Sequence, residues 1–329
     1  MSRILHVAGA QMGPVQLDHT RADVVERLIV MLREAADRGA DVVVFPELAL
    51  TTFFPRWWFD HQHEIDAFFE TEMPGPETKP LFDEARDLGV GFSLGYAQLT
   101  HIDTPEHPEG SGGETRRYNT MILVDQQGEV VNRYHKVHLP GHTDLEPWRE
   151  FQHLEQGYFD AGPEGFVAQR AFGGIVGQLI CNDRRWPETY RVLGLQGVEL
   201  IMIGYNTPIH YAPDPDQDRM AGFHNNLVMA AGAYQNGTWV VGVAKAGLEE
   251  GVDSLAESQI IAPSGEVVAK TVTNGDEVIV AACDLDACDK YKRTLFDFER
   301  YRMIEHYDRI TSQRGVIQPP PLPSEGRRP

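Results

Sequence analysis

Three side chains of this chain have the types from which an acyl-transfer site is built, and each stands just past an apolar run. Cys181 follows the run 174–180 and precedes Asn182, Asp183, Arg184, Arg185, Trp186 and Pro187. A β-prone run ending in a thiol, then a proline suited to the first turn of a helix, reads as a strand-to-helix elbow. Such an elbow holds a nucleophile at a rim. The two arginines beside it would lower the thiol pKa from its free value of about 8.5, or bind an anionic substrate. Glu47 stands in Phe45-Pro46-Glu47-Leu48, and Lys136 in Tyr134-His135-Lys136-Val137. Together they add a base and an oxyanion stabiliser to the nucleophile. Each alone has a bland explanation: a solvated glutamate after proline, a surface lysine near a hairpin, a cysteine packed in a core.

The elements that would position them alternate between β and α. Residues 4–11 read as a buried strand, 20–38 as an amphipathic helix closed by Gly39, and 41–45 as a second strand leading into Glu47. Residues 77–88 predict a helix and 90–96 an extended segment. Residues 118–124 and 129–134 predict a hairpin about Gln126-Gln127-Gly128, with Lys136 just beyond its second arm. After Cys181 come a helix over 186–195, a strand over 199–203, a helix over 218–234 and a strand over 238–244. A second hairpin, 258–262 with 266–271, and a helix over 286–298 follow. Interleaved strands and helices predict layered α/β, and the hairpins predict mixed sheets. In open α/β sheets, strand ends are where ligand sites collect.

Composition limits the partners. With 42% hydrophobic residues the 329-residue chain has material for a large core. A formal charge of −20 argues against nucleic acid and anionic membrane, both of which need a cationic surface. No apolar stretch approaches the roughly 18 to 20 residues of a membrane span, and residues 2–10 read as a strand rather than a signal peptide, so a cytoplasmic location is expected. Three cysteines without a C-x-x-C fit a reducing compartment. Cys283 and Cys288 read as packing residues. A metal on His135, His138, His142 and His153 is rejected: Pro140-Gly141 breaks the helix that would align His138 with His142, and no cysteine or carboxylate completes a zinc pattern. No cofactor is expected.

The ordered trio Pro-Glu, Lys-x-His-Leu and Cys-x-Asp resembles the nitrilase superfamily of carbon–nitrogen hydrolases, whose catalytic residues are Glu, Lys and Cys in that order. Residues 45–57, 138–142, 151–155 and 181–189 look like the N-carbamoyl-D-amino acid amidohydrolases within it. The resemblance runs over about residues 4–307, which implies a single domain over 1–307 and an extension over 308–329, Pro-rich and mobile at its end. It implies a four-layer α-β-β-α sandwich with two mixed sheets, pairing into homodimers or homotetramers through its outer helices and C-terminal segment. Glu47 would take the Cys181 proton, the thiolate would attack the ureido carbonyl, and Lys136 with a backbone N–H would stabilise the oxyanion. Ammonia leaves, water attacks the S-carbamoyl enzyme, and the carbamate decomposes; the net products are amino acid, carbon dioxide and ammonia.

The resemblance also gives Glu155 the place of a second glutamate that orients the lysine. His138 and His153 would hydrogen-bond around the site as substrate-binding residues, and Asn182 and Asn206 would contact substrate too. Arg184 and Arg185 would grip a substrate carboxylate through paired hydrogen bonds, a contact useless to a simple nitrile; the competing reading makes one of the two a structural ion pair. The insertion over 104–114 and the loop 209–216 depart from the carbamoylase pattern and leave side-chain preference open. Two other readings compete: a hydrolase of another small amide, β-ureido acid or nitrile, and a catalytically silent scaffold.

Overall fold

The computed structural model describes residues 2–103 and 113–321. Fourteen strands form among them, the central ones from apolar runs bounded by turn residues. The first five are β1 (Ile4–Gln11), β2 (Val42–Val44), β3 (Gly91–Ile102), β4 (Glu114–Val124) and β5 (Val130–His135). Four more are β6 (Gln169–Ala171), β7 (Gly174–Ile180), β8 (Leu200–Tyr205) and β9 (Trp239–Ala244). The rest are β10 (Ala246–Glu249), β11 (Val252–Leu255), β12 (Gln259–Ile261), β13 (Val267–Lys270) and β14 (Glu277–Asp284). One six-stranded sheet runs β14-β1-β2-β3-β4-β5, a second runs β13-β12-β9-β8-β7-β6, and β10 pairs with β11 alone. Both large sheets are mixed: β1-β2-β3 and β7-β8-β9 are parallel, while the outer strands pair antiparallel.

The period-2 alternation of strand side chains separates the layers. Leu5 and Val7 of β1 pack in one cluster with Leu179, Ile201 and Ile203 of the other sheet. Ala8 and Ala10 instead meet Val24, Leu28 and Leu32 of helix Arg21–Asp37 and Leu81 of helix Lys79–Leu88. On the second sheet's outer face lie helices Pro187–Leu195 and Ala221–Asn236, which bury Tyr190, Leu193, Met229 and Ala233. The result is the expected α-β-β-α sandwich. Thr20 starts the first long helix with a reciprocal capping box to Asp23, a contribution of about 1 kcal/mol.

Several elements differ from the sequence expectation. β3 runs on to Ile102 and pairs there with Glu114, so the insertion expected over 104–114 joins two long antiparallel strands; residues 104–112 lie outside the described residues. The helix expected over 286–298 is cut to Ala287–Lys292, because the chain turns to set Phe296 edge-on against Tyr234, 5.0 Å between centroids. The helix expected from residue 218 begins at Ala221, after a 3-10 segment Pro215–Met220. The β10–β11 hairpin has no long apolar run to announce it. The Pro-rich end expected to be mobile lies, over 322–329, outside the described residues. Among the described residues no helix is long and apolar enough to cross a membrane.

Two glycines let the sheets approach each other around Glu47. A Cβ on Gly95 of β3 would lie 2.6 Å from Pro46 O and 2.7 Å from Glu47 Cα. One on Gly204 of β8 would lie 2.7 Å from Glu47 N. The Pro46-Glu47 backbone is thus gripped from both sheets, with backbone rather than a flexible side chain as the obstacle. Gly204→Ala is expected to cost about 1–3 kcal/mol by overpacking, measured by urea unfolding. Gly275→Ala, where a Cβ meets nothing within 4 Å, should stay within about 0.5 kcal/mol. Equal effects would refute the close-approach argument.

Candidate active site

Glu47, Lys136 and Glu155 are buried together between the sheets. Lys136 follows β5 and is fixed by its own N–H to Asn119 O, 2.9 Å. Its ammonium donates to Glu47 Oε1 at 2.7 Å and to Glu155 Oε2. Asn119 Nδ2 donates to the same Glu47 oxygen at 2.7 Å, and Asn206 N donates to Glu47 Oε2 at 2.9 Å. Glu155 opens the short helix Glu155–Tyr158, and His153 Nε2 lies 3.2 Å from its other oxygen.

Cys181 closes β7 and starts a 3-10 turn, Cys181–Arg185, before Pro187 opens the next helix. Its φ of 44° is in the left-handed region, a strained setting for a side chain other than glycine and typical of functional positions. The elbow is held by Asp183. Its buried carboxylate accepts from Ile180 N (3.1 Å), Tyr134 Oη (2.7 Å) and His138 N (2.9 Å), with His138 Nδ1 also at 2.9 Å. Asp183 therefore ties the cysteine turn to the segment that follows Lys136. The Cys181 Sγ lies 3.7 Å from Thr207 Oγ1, 3.7 Å from Arg184 Nη1 and 3.8 Å from Asn206 O.

Burial sets the protonation of this group. It pushes the Glu47 carboxyl up, and Glu155 adds to the push against the Lys136 charge. For Lys136 burial pulls down, but Glu155 and Glu47 outweigh it and hold the ammonium above the ordinary lysine range. Burial would raise Glu155 too, yet Lys136 and His153 keep it below the ordinary glutamate range. The Cys181 thiol is raised by burial and by the Glu47 charge, with Lys136 and Arg184 opposing. This corrects the expectation that the arginines leave a low-pKa thiol: desolvation wins, so the thiol needs a base beside it.

The two arginines part company. Arg184 is 1% exposed and donates to Cys181 O (2.7 Å), Asn225 Oδ1 (3.0 Å) and Thr207 Oγ1 (3.0 Å), with its guanidinium 4.2 Å from the Tyr205 ring centroid. It braces the elbow and does not line the cavity in front of Cys181, so the expected two-arginine clamp is not formed. Arg185 lines that cavity, of about 430 Å³, with Cys181, Asn182, Asn206 and His153. Among the described residues Arg185 has no ion-pair partner. His138, expected to contact substrate, instead turns to Asp183 and stacks between Phe166 and Trp186, at 5.6 and 5.1 Å. Asn182 donates to His138 O at 3.3 Å. Asn206 has a buried side-chain nitrogen without a hydrogen-bond partner among the described residues.

Sequence reasoning gave no role to Asn119, Asp183, Thr207 or Asn225. Asp183 stood inside the Cys-x-Asp motif and Asn119 was a polar residue in an apolar strand, signals open to notice. Thr207 and Asn225 carried none.

The carbon-nitrogen hydrolase family model matches residues 6–293, and the chain belongs to that family, within the nitrilase superfamily. It is therefore a hydrolase of carbon–nitrogen bonds other than peptide bonds. The chain is 28% identical over 308 residues to a nitrilase of Pyrococcus abyssi, covering 93% of this chain and 100% of that protein. It is 27% identical over 309 residues to an N-carbamoylputrescine amidase of Arabidopsis thaliana, covering 91% and 92%. Its fold matches a carbon-nitrogen hydrolase of Helicobacter pylori G27 with a TM-score of 0.77 at 18% identity, over 95% of this chain and 99% of that one. It also matches a mutant amidase of Nesterenkonia sp. AN1, solved with the acetamide moiety of fluoroacetamide added covalently at the active-site cysteine. That match has a TM-score of 0.66 at 19% identity and covers 91% and 97%.

Removing the central cation tests the buried charge array. Lys136→Met leaves two buried carboxylates uncompensated and should cost about 3–5 kcal/mol at pH 7.5. A carboxyl whose folded pKa exceeds its unfolded one destabilises above the unfolded value and is relieved as pH falls toward it. The urea-unfolding deficit should therefore shrink at pH 5.5; a pH-independent deficit would refute the charge argument.

Proposed function

We propose that this protein hydrolyses N-carbamoyl-D-amino acids to the D-amino acid, carbon dioxide and ammonia, with Cys181 as nucleophile. The observation that carries the reading is Arg185: a guanidinium without an ion-pair partner among the described residues, in the cavity that opens on the thiol. A carboxylate on the substrate is the complement it calls for. The unpartnered Asn206 amide nitrogen beside it offers a donor to the ureido or carboxylate oxygen. The D configuration rests on the resemblance of residues 45–57, 138–142, 151–155 and 181–189 to D-carbamoylases.

Glu47 takes the Cys181 proton as sulfur attacks the ureido carbon, and Lys136 stabilises the oxyanion. Burial raises the Glu47 carboxyl, which makes its carboxylate the stronger base for this transfer. The bond to the terminal nitrogen breaks and ammonia leaves with that proton, while the amino acid stays on the remaining nitrogen of the S-carbamoyl enzyme. Water gives a proton to Glu47 and adds to the carbonyl; the C–S bond breaks and the thiol regains the proton. The N-carboxy amino acid then loses carbon dioxide. Glu155 positions Lys136 and stays ionised, as its lowered pKa requires.

Relatives named as N-carbamoylputrescine amidases suggest a carbamoylated amine as an alternative. The cationic tail of such a substrate would meet Arg185, which disfavours it. Ammonia release over D- and L-carbamoyl amino acids, β-ureidopropionate, N-carbamoylputrescine, amides and nitriles decides between them. Cys181→Ala should abolish turnover. Arg185→Gln should raise KM for the carbamoyl amino acid by about tenfold or more with kcat little changed, the mark of lost uniform binding. An unchanged KM would sink the carboxylate-anchor reading.

A further inference from the structure

A second group of buried charges lies away from the thiol and takes no part in the steps above. Glu249 ends β10 and is fully buried, as is Lys245 just before that strand, and Arg56 is nearly so. Glu249 Oε1 accepts from Phe53 N (2.8 Å), Arg56 Nη2 (2.8 Å) and Thr52 Oγ1 (3.2 Å). Its Oε2 accepts from Val15 N (3.0 Å) and Lys245 Nζ (3.1 Å). Arg56 also donates to Glu249 O and, at 2.9 Å, to Phe53 O, and lies against the rings of Phe53 and Trp57. Two cations share one carboxylate. Such an array is a poor device for stability alone, since apolar residues of similar volume serve as well or better.

What the array holds is a wall. A cavity of about 450 Å³ adjoins the one that contains Cys181, and the two share Asn206, His153, Arg149 and the chain over 208–211. Its apolar lining comes from Phe53, Ile209 and Leu248, among others. Phe53 is bound through its N–H to the Glu249 carboxylate, and Leu248 is the neighbour of Glu249 in β10. Gln152, a third wall residue, donates its N–H to Arg56 O at 2.8 Å. The hairpin also carries the fourth wall: Ile209 N donates to Asp253 O (2.9 Å) and Leu255 N to Thr207 O (2.8 Å). The segments at 15 and 52–56 thus meet on the carboxylate itself, while those at 152 and 207–209 join it through backbone bonds to Arg56, itself a wall residue, and to the hairpin.

We infer that Glu249, through Arg56, is a positioning residue for this annex, and that the annex receives an apolar side chain of the substrate. The inference rests on the proposed function for the identity of the substrate, and on geometry alone for the wall.

The test is selectivity. Glu249→Gln keeps the shape and removes the charge; Arg56→Lys keeps the charge and loses the fork. In each, KM for N-carbamoyl-D-phenylalanine should rise by about tenfold or more with kcat little changed, while N-carbamoylglycine, which has no side chain, stays within about threefold in both parameters. Alkylation of Cys181 by iodoacetamide and by its N-benzyl derivative reads the same wall without turnover. The wild-type preference for the benzyl reagent should fall by about fivefold or more in both variants. If no carbamoyl amino acid is turned over, the proposed function fails and the alkylation ratio still decides the inference. Equal losses on the small and the large probe, an unchanged ratio, or failure of both variants to fold would overturn it.

Discussion

The Lys136 ammonium, shared between the Glu47 and Glu155 carboxylates with all three side chains buried, is the interaction on which the rest of the site depends. Two negative charges this close and this buried repel each other, and only the cation between them makes the arrangement tenable. The same arrangement divides labour between two chemically identical side chains. Glu155 has Lys136 and His153 and is held ionised; Glu47 has burial and Glu155 against it and is pushed toward its neutral form. The two carboxyls are pushed in opposite directions, a distinction set by surroundings rather than residue type.

Placing those charges requires both sheets. Glu47 leaves β2, Lys136 leaves β5, and Cys181 leaves β7 in the opposite sheet, whose β8 leads into Asn206 and Thr207. The glycines at 95 and 204 allow the Glu47 backbone to lie where any side chain would intrude. Asp183 carries the same joining role for the elbow, accepting from Tyr134 and His138 of the first sheet's last strand and its continuation. The thiol is thereby presented at a positive φ while still buried, and burial with the Glu47 charge raises its pKa.

The cation economy around the thiol follows from depth. Arg184 and Arg185 are adjacent in a tight turn, so their side chains diverge. One enters the core, where it finds three protein acceptors and an aromatic face; the other reaches the cavity. Desolvating a guanidinium without partners is costly, so the buried one is fully engaged, and the exposed one stands without an ion-pair partner among the described residues.

Much of this was legible in residue order. Glu47, Lys136 and Cys181 each follow an apolar run, and strand periodicity and turn residues are local properties, so the layered fold, the elbow and the three reactive positions could be read directly. Glu155 could be placed only through family resemblance. Local signals could not say which arginine would be buried, that His138 would face Asp183 rather than substrate, or that the thiol pKa would rise. Those outcomes depend on what each side chain meets across the sandwich. The Glu249 array was invisible for the same reason: Lys245 stands only four residues away, but the partners at 15, 53 and 56 are distant in sequence, and no periodicity links them. Sequence alone determined which reactive groups stand at strand ends; tertiary structure decided their charges and availability, because desolvation and pairing exist only once the two sheets have met.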